Sequence, residues 1–180
     1  MPTSETRVDV RTAGESDATS IAAIYNDAVA ATVATFDTEP RTLDDQRGWL
    51  REHAPPYFVL VARREGEVIG WASVSRWSER RAYAGTAEVS VYVDARHRGA
   101  GVGRTLLLRL VADGRRSGFH TLLARVADGN AVSLHLHEAL GFQQIGVMRE
   151  VGRKFGRLID VHLLQLIYDD SSGPQVGFRD

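Results

Sequence analysis

One short run, Arg98-Gly99-Ala100-Gly101-Val102-Gly103, constrains the fold more than any other stretch, because of what flanks it. Before it, Ala87-Glu88-Val89-Ser90-Val91-Tyr92-Val93 alternates with β-branched residues and reads as a strand. After it, Thr105-Leu106-Leu107-Leu108-Arg109-Leu110-Val111 sets its apolar positions on a helical face. Strand, glycine-rich turn and helix in that order gather several unpaired backbone N–H groups at one point. The helix dipole adds partial positive charge there. Glycines let a bulky anion approach the backbone, and Arg98 and Arg104 supply formal charge beside it. The run reads as a pyrophosphate cradle.

Spacing excludes the two commonest phosphate loops. A Walker loop needs Gly-Lys followed by Ser or Thr, whereas Gly103 is followed by Arg104 and Thr105. A dinucleotide fingerprint needs glycines at first, third and sixth positions, and counting from Gly99 the sixth place is Arg104. A tight strand-to-helix connection without any ligand is the plainer alternative. Three glycines between residues 99 and 103, beside two arginines, disfavour it.

The 180 residues, 43% hydrophobic and 25% charged, suit one α/β domain over residues 1–168 with a polar tail, 169–180. A formal net charge of −1 gives no general attraction to nucleic acid or acidic membranes. The absence of cysteine removes disulfides, thiolate metal sites and a covalent acyl-cysteine intermediate together, and no metal is expected. No apolar run approaches the roughly 20 residues of a membrane span, and no signal-peptide core opens the chain. A soluble, cytoplasmic protein is expected.

In chain order, Arg7-Val8-Asp9-Val10-Arg11 alternates as a first strand. Ser16 or Asp17 can cap a helix with Ile21, Ile24, Tyr25, Ala28 and Val29 on one face. Thr42 caps a second helix, with Trp49 and Leu50 inward, that stops at Pro55-Pro56. Residues 58–62 and 68–74 flank Glu65-Gly66 as a hairpin. Residues 76–85 form a polar connection to the central strand. Gly118 ends the cradle helix, and residues 122–126 form the next strand. Asn130 caps a helix that turns Val132, Leu136, Ala139 and Leu140 inward. Two final strands, around 144–151 and 159–168, are joined by Gly152-Arg153-Lys154-Phe155-Gly156-Arg157.

Arg-x-x-Gly-x-Gly after a valine-rich strand resembles the acyl-CoA-binding motif of the Gcn5-related N-acetyltransferase (GNAT) superfamily. The element order β-α-α-β-β-β-α-β-α-β-β is that of its mixed α/β fold. Within it, the chain is similar to the phosphinothricin and methionine sulfone or sulfoximine N-acetyltransferase group. That likeness rests on Ile24-Tyr25-Asn26-Asp27-Ala28-Val29, Thr86-Ala87-Glu88, the stretch from Asn130 to Leu136-His137-Glu138-Ala139-Leu140-Gly141-Phe142, and the 152–157 run with Asp160 beyond. Leu158, where many members carry tryptophan, and Val89 depart from the pattern near the expected acceptor site.

The resemblance implies acetyl-CoA as cosubstrate. The backbone of Val91, Tyr92 and Val93 would hold its pantetheine arm, an amide near Val91 would polarise the thioester carbonyl, and residues 98–104, Val102 included, would hold the pyrophosphate. Asn130 and His137 are further implied cofactor contacts. An acceptor amine arrives as an ammonium of pKa roughly 10 and must lose a proton, for which Glu88 is the candidate base, directly or through water. A salt bridge to an arginine is the bland alternative for Glu88. His137 stands where many members carry a tyrosine and is the candidate acid for the departing thiolate, with packing as its alternative. Phe36, Arg76, Trp77, Ser78, Thr86, Ala87 and Glu88 are the candidate acceptor contacts, beside Arg80 or Arg81, Tyr83 and a Lys154 reaching in from the last hairpin, in its own chain or across a homodimer.

The function expected is direct acetyl transfer to the amino group of a small amino acid such as L-phosphinothricin, methionine sulfone or methionine sulfoximine. A polyamine, an aminoglycoside or a protein N-terminus is the alternative acceptor. A non-catalytic acyl-CoA sensor is the alternative from another class.

Overall fold

Glu65 (φ 52°) and Gly66 (φ 88°) both take left-handed backbone conformations and close a two-residue hairpin, the turn that glycine permits most readily. That hairpin joins β2 (Phe58–Arg64) to β3 (Glu67–Arg76) and seeds the sheet. The computed structural model describes residues 8–169, so Arg7 of the expected first strand and the tail beyond Asp169 lie outside the described residues.

Around the hairpin stand β1 (Asp9–Thr12), α1 (Ala18–Ala31), α2 (Leu43–Glu52) and β4 (Thr86–Val93). Then follow α3 (Val102–Arg116), β5 (Thr121–Ala127), α4 (Ala131–Glu138), β6 (Gln143–Lys154) and β7 (Arg157–Ile167). This is the order expected. The sheet runs β1-β2-β3-β4-β5-β7-β6, and β4 with β5 is the one parallel pair among the described residues.

Alternation along β2 and β4 sends side chains to two different layers. Leu60, Ala62, Ala87 and Val89 pack under α3 with Leu106, Leu107 and Leu110, each of those leucines fully buried and worth roughly 2 kcal/mol. Gly70 lets α3 approach, because a Cβ there would press on Val102 and Leu106. On the opposite face Val59, Val61 and Trp71 meet Ile21, Ile24, Tyr25 and Val29 of α1.

Thr42 caps α2 as expected, accepting from the Asp45 N–H at 3.1 Å. Three local details differ. Asp17 does not cap α1 with its side chain; its carboxylate takes two bonds from Arg11 and one from the Gly14 N–H, all 2.8 Å. On α4 the inward set is Leu134, Leu136, His137 and Leu140, while Val132 is exposed, so the helix is rotated from its expected phase. The expected loop 152–157 shrinks to a two-residue turn, because Phe155 (φ 50°) and Gly156 (φ 75°) both adopt left-handed conformations.

Candidate active site

The site follows from how β4 is shared. Its ladder to β5 covers only Thr86 to Val89, so the two parallel strands part beyond that point. Asp94 donates its N–H to the Ile69 carbonyl of β3, which by alternation turns the backbone groups of Val93 and Val91 toward the gap. At the far end the Val93 carbonyl accepts from Arg98 Nε at 3.3 Å rather than from a strand. An open strand edge is a template for an extended ligand arm.

The cradle lies at the end of that edge. Gly99 (φ 76°) and Gly101 (φ 77°) are left-handed, and Gly101 is the N-cap of α3. A Cβ at either would meet no atom within 4 Å, so the space above them is open to an incoming anion. Gly103 is glycine for another reason, since a Cβ there would press on Leu136 of α4. Arg98, Ala100 and Arg104 are exposed beside the turn, whereas the Val102 side chain is buried, which leaves only its backbone to a ligand. These residues fit a pyrophosphate with a pantetheine arm along β4.

Behind the same strand lies a cavity of about 490 Å³. Its floor is three cross-strand pairs of β3 and β4: Trp71 with Tyr92, Ser73 with Ser90, and Ser75 with Glu88. The Trp71 and Tyr92 rings stack at 4.7 Å, with Tyr25 edge-on to Tyr92 at 5.2 Å. The segment between α1 and α2 forms one wall and is pinned at several points. Tyr25 Oη bonds Thr35 Oγ1 (2.7 Å) and donates to Asp37 (2.6 Å), Tyr92 Oη donates to the Ala34 carbonyl (3.2 Å), and Lys154 Nζ donates to the Thr35 carbonyl (2.8 Å). Phe36 packs against Gly152, where any Cβ would overlap its ring.

Glu88 lines this cavity, on the face opposite Val89, Val91 and Val93. Arg125 of β5 grips both its oxygens, Nε at 2.5 Å and Nη2 at 2.7 Å, and that pairing raises the arginine's pKa. Arg125 in turn lies 5.7 Å from the Trp77 ring.

Of the other expected acceptor residues, Phe36 lines the cavity and several do not. Ala87 is buried under α3, so its side chain cannot face an acceptor. Arg76 pairs with Glu79 at 2.6 Å and sits over Tyr57, while Ser78 accepts from the Arg80 N–H at 3.2 Å. Thr86 shares the face of Glu88 but stands beyond the lining, and Trp77 reaches the cavity only through Arg125. Val89 is a core residue and Leu158 is exposed. Lys154 reaches in from the β6–β7 hairpin to the Thr35 carbonyl of the wall segment, where it is buried, and desolvation lowers its pKa. Unforeseen were Tyr25, Arg41, Trp71, the β3 serines and Arg125; the polar Trp-Ala-Ser-Val-Ser alternation of β3 was the signal available for three of them.

On the cradle side, Asn130 Oδ1 accepts from the Ser133 N–H at 3.3 Å and caps α4. His137 is buried edge-on to Phe142, donates Nδ1–H to the Ser133 carbonyl at 2.8 Å, and leaves Nε2 without a partner. Burial lowers its pKa, so the ring is neutral at pH 7.

Residues 21–142 match the acetyltransferase (GNAT) family. The chain belongs to the GNAT family. It is 42% identical over 162 residues to L-methionine sulfoximine/L-methionine sulfone acetyltransferase of Pseudomonas aeruginosa, covering 89% of this chain and 94% of that one. A phosphinothricin N-acetyltransferase of Streptomyces coelicolor is 39% identical over 158 residues (86% and 92% covered). Among solved structures, a Sinorhizobium meliloti GNAT phosphinothricin acetyltransferase in complex with acetyl-CoA superposes with a TM-score of 0.89 at 32% identity, covering 94% of each chain. This GNAT protein is an N-acetyltransferase that uses acetyl-CoA. No helix among the described residues is long and apolar enough to cross a membrane.

Proposed function

We propose that this GNAT enzyme, as one domain over residues 1–168, acetylates the amino group of a small amino acid of the methionine sulfone, methionine sulfoximine or phosphinothricin type by direct transfer. The observation that carries the reading is the cavity on the Glu88 face of β4, back to back with the open edge and cradle. Its lining mixes aromatic rings, hydroxyls and aliphatic side chains, and its two lining acids each carry an arginine, Glu88 with Arg125 and Asp37 with Arg41. A polyamine or aminoglycoside needs surplus acid, which this lining does not offer. A silent acyl-CoA sensor has no use for a carboxylate held in such a cavity.

Acetyl-CoA, held at Val91, Val93 and the cradle backbone, supplies the acetyl thioester. Glu88 receives the acceptor ammonium and takes one of its protons, with Arg125 fixing the carboxylate plane. Trp77 supports Arg125 from outside the cavity. Asn130 caps α4 at the cofactor side, and His137 packs that helix against Phe142. The enzyme works in the cytoplasm, where acetyl-CoA is made, and as a homodimer. The exposed apolar side chains Ile145, Val151, Phe155 and Leu158 of the β6–β7 hairpin support pairing.

A thiol-release assay with acetyl-CoA against amino acids, polyamines and aminoglycosides tests the reading. Turnover is expected with the methionine derivatives and phosphinothricin. Preference for a polycationic amine, or flat traces throughout, would overturn it.

A further inference from the structure

We propose that Asp160 is a positioning residue for acceptor selectivity. It holds a bulge of β6 against the cavity, and the wall so formed favours acceptors whose side chain ends in a methyl group over their longer alkyl homologues. The proposal rests on the acetyl-transfer reading.

The cavity has two unlike ends. Its hydroxyls, Glu88 and the stacked Trp71 and Tyr92 come from β3 and β4. At the other end Ala127 of β5, Val161 of β7 and Met148 of β6 form a row, with Ala127 and Met148 each directly opposite Val161. Val151 continues the lining past Met148, and Phe36 covers Gly152. These side chains can bury an alkyl terminus but cannot pair a charged one.

The row reaches Phe36 only because β6 is irregular. Met148 and Gly152 pair with Val161 and Ile159, which are two positions apart on β7, yet they are four positions apart on β6. The excess, within Arg149-Glu150-Val151, is a bulge. Two extra residues preserve the alternation of faces but change which residue follows Met148 on the cavity side. In a regular ladder Glu150 would stand opposite Ile159. Phe36 needs a residue without a Cβ at that place, and the bulge delivers Gly152.

Asp160 keeps the bulge in shape. Glu150 takes a left-handed conformation (φ 52°) that few side chains adopt. Its N–H donates to Asp160 Oδ1 at 2.8 Å, and Arg149 Nη1 donates to Oδ2 at 2.5 Å. These bonds, that of Glu150 foremost, hold the Asp160 carboxyl below the ordinary carboxylate range, so it is charged at pH 7. The residue is fixed from its other side too, where its carbonyl accepts from the Asp128 N–H at 2.9 Å. A bulge anywhere along β6 would shield this edge strand from pairing with another chain. This one sits where β6 meets the cavity, with Met148 before it and Val151 within it both in the lining.

The test compares methionine sulfone with its S-butyl homologue in thiol release from acetyl-CoA. Wild type is expected to prefer the methyl compound about 10²-fold in kcat/KM, within the range that pocket fit supplies. D160A, which takes the acceptor from the Glu150 N–H, is expected to cut that preference about tenfold with the KM for acetyl-CoA unchanged. D160N keeps Oδ1 and retains the preference, as does R149A, whose exposed ion pair holds little. M148A widens the row without touching the bulge and lowers the same preference. Amide exchange, which needs no turnover, is expected to find the Glu150 N–H protected in wild type and D160N and open in D160A. General destabilisation would depress both sulfones in parallel and leave their ratio unmoved. An unmoved ratio in D160A or in M148A, or a Glu150 amide as protected in D160A as in wild type, would overturn the proposal. A wrong acceptor class shows instead in a wild type that turns over neither sulfone while another amine reacts, and the amide exchange still decides whether Asp160 holds the bulge.

Discussion

The two faces of β4 offer different materials to the two ligands proposed for them. On the cofactor side the side chains Val89 and Val102 are buried, and what is offered outward is backbone: the parted edge at Val91 and Val93 and the glycine turn before α3. On the acceptor side nearly everything offered is side chain, brought from α1, α2, β3, β4, β5 and β6 around one cavity. Cofactor recognition by main-chain geometry should tolerate changes of side chain and fail when backbone conformation is forced. Acceptor recognition should behave the other way round.

The largest expected effect is at Glu88, the point where the two sides meet. Glu88→Gln keeps the shape and one acceptor oxygen for Arg125 but removes the proposed base. A kcat loss of about 10²- to 10⁴-fold is expected, with little change in acetyl-CoA affinity measured by calorimetry. A Gln variant with full kcat would move the base elsewhere.

The cofactor side is probed by Gly101→Val against Val91→Ala. A β-branched residue at φ 77° is strongly disfavoured, so the turn must move and the amides at the start of α3 with it. The KM for acetyl-CoA is expected to rise about tenfold or more, the equivalent of at least 1.4 kcal/mol. Val91→Ala, which leaves the strand edge in place, should change it little. Equal effects from the two would remove the distinction between the faces.

The same division explains what was legible in the chain. The cradle is six consecutive residues whose glycines carry their own conformational signature, so element order, turn and cofactor could be read together. The acceptor cavity has no such run. Phe36 was foreseen, but its seat, Gly152, lies 116 positions away and is joined to it only by packing. Arg125 sits in an ordinary-looking strand, and only the parallel pairing of β5 to β4 sets its guanidinium on Glu88. Of the arginines of residues 76–81, Arg76 ends β3 paired with Glu79, and none lines the cavity. On α4, the apolar count suggested one phase, while burial of the His137 ring fixed another.

Gly152→Ala tests the acceptor side at smaller scale. The added methyl overlaps the Phe36 ring, which must swing off β6 and reshape the wall. The acceptor KM is expected to rise about tenfold, near 1.4 kcal/mol, while the KM for acetyl-CoA stays fixed. Parallel rises in both constants would mean that the wall and the cradle are coupled through the sheet.

The smallest expected effect separates two histidines, the half-buried His53 and the buried His137, one behind each face. His53 faces the cavity through Ser75, whereas His137 faces α4 and Phe142 with Nδ1 committed to the Ser133 carbonyl. Burial lowers the folded pKa of His137 below its ordinary value of about 6.5. As pH falls through 6.5 the unfolded chain takes up a proton that the folded chain refuses, so stability drops with acid and is fully present above that pH. His53 adds a slope of the same sign, its pKa being lowered mainly by burial as well. In thermal melts between pH 7.5 and 5.5, His137→Phe is therefore expected to flatten the acid-side loss without abolishing it. Its kcat at pH 7 should fall by less than about tenfold, short of the 10²-fold loss that marks removal of a general acid. A larger loss, together with an altered alkaline limb of kcat, would return His137 to the chemistry and give the cofactor face a working side chain after all.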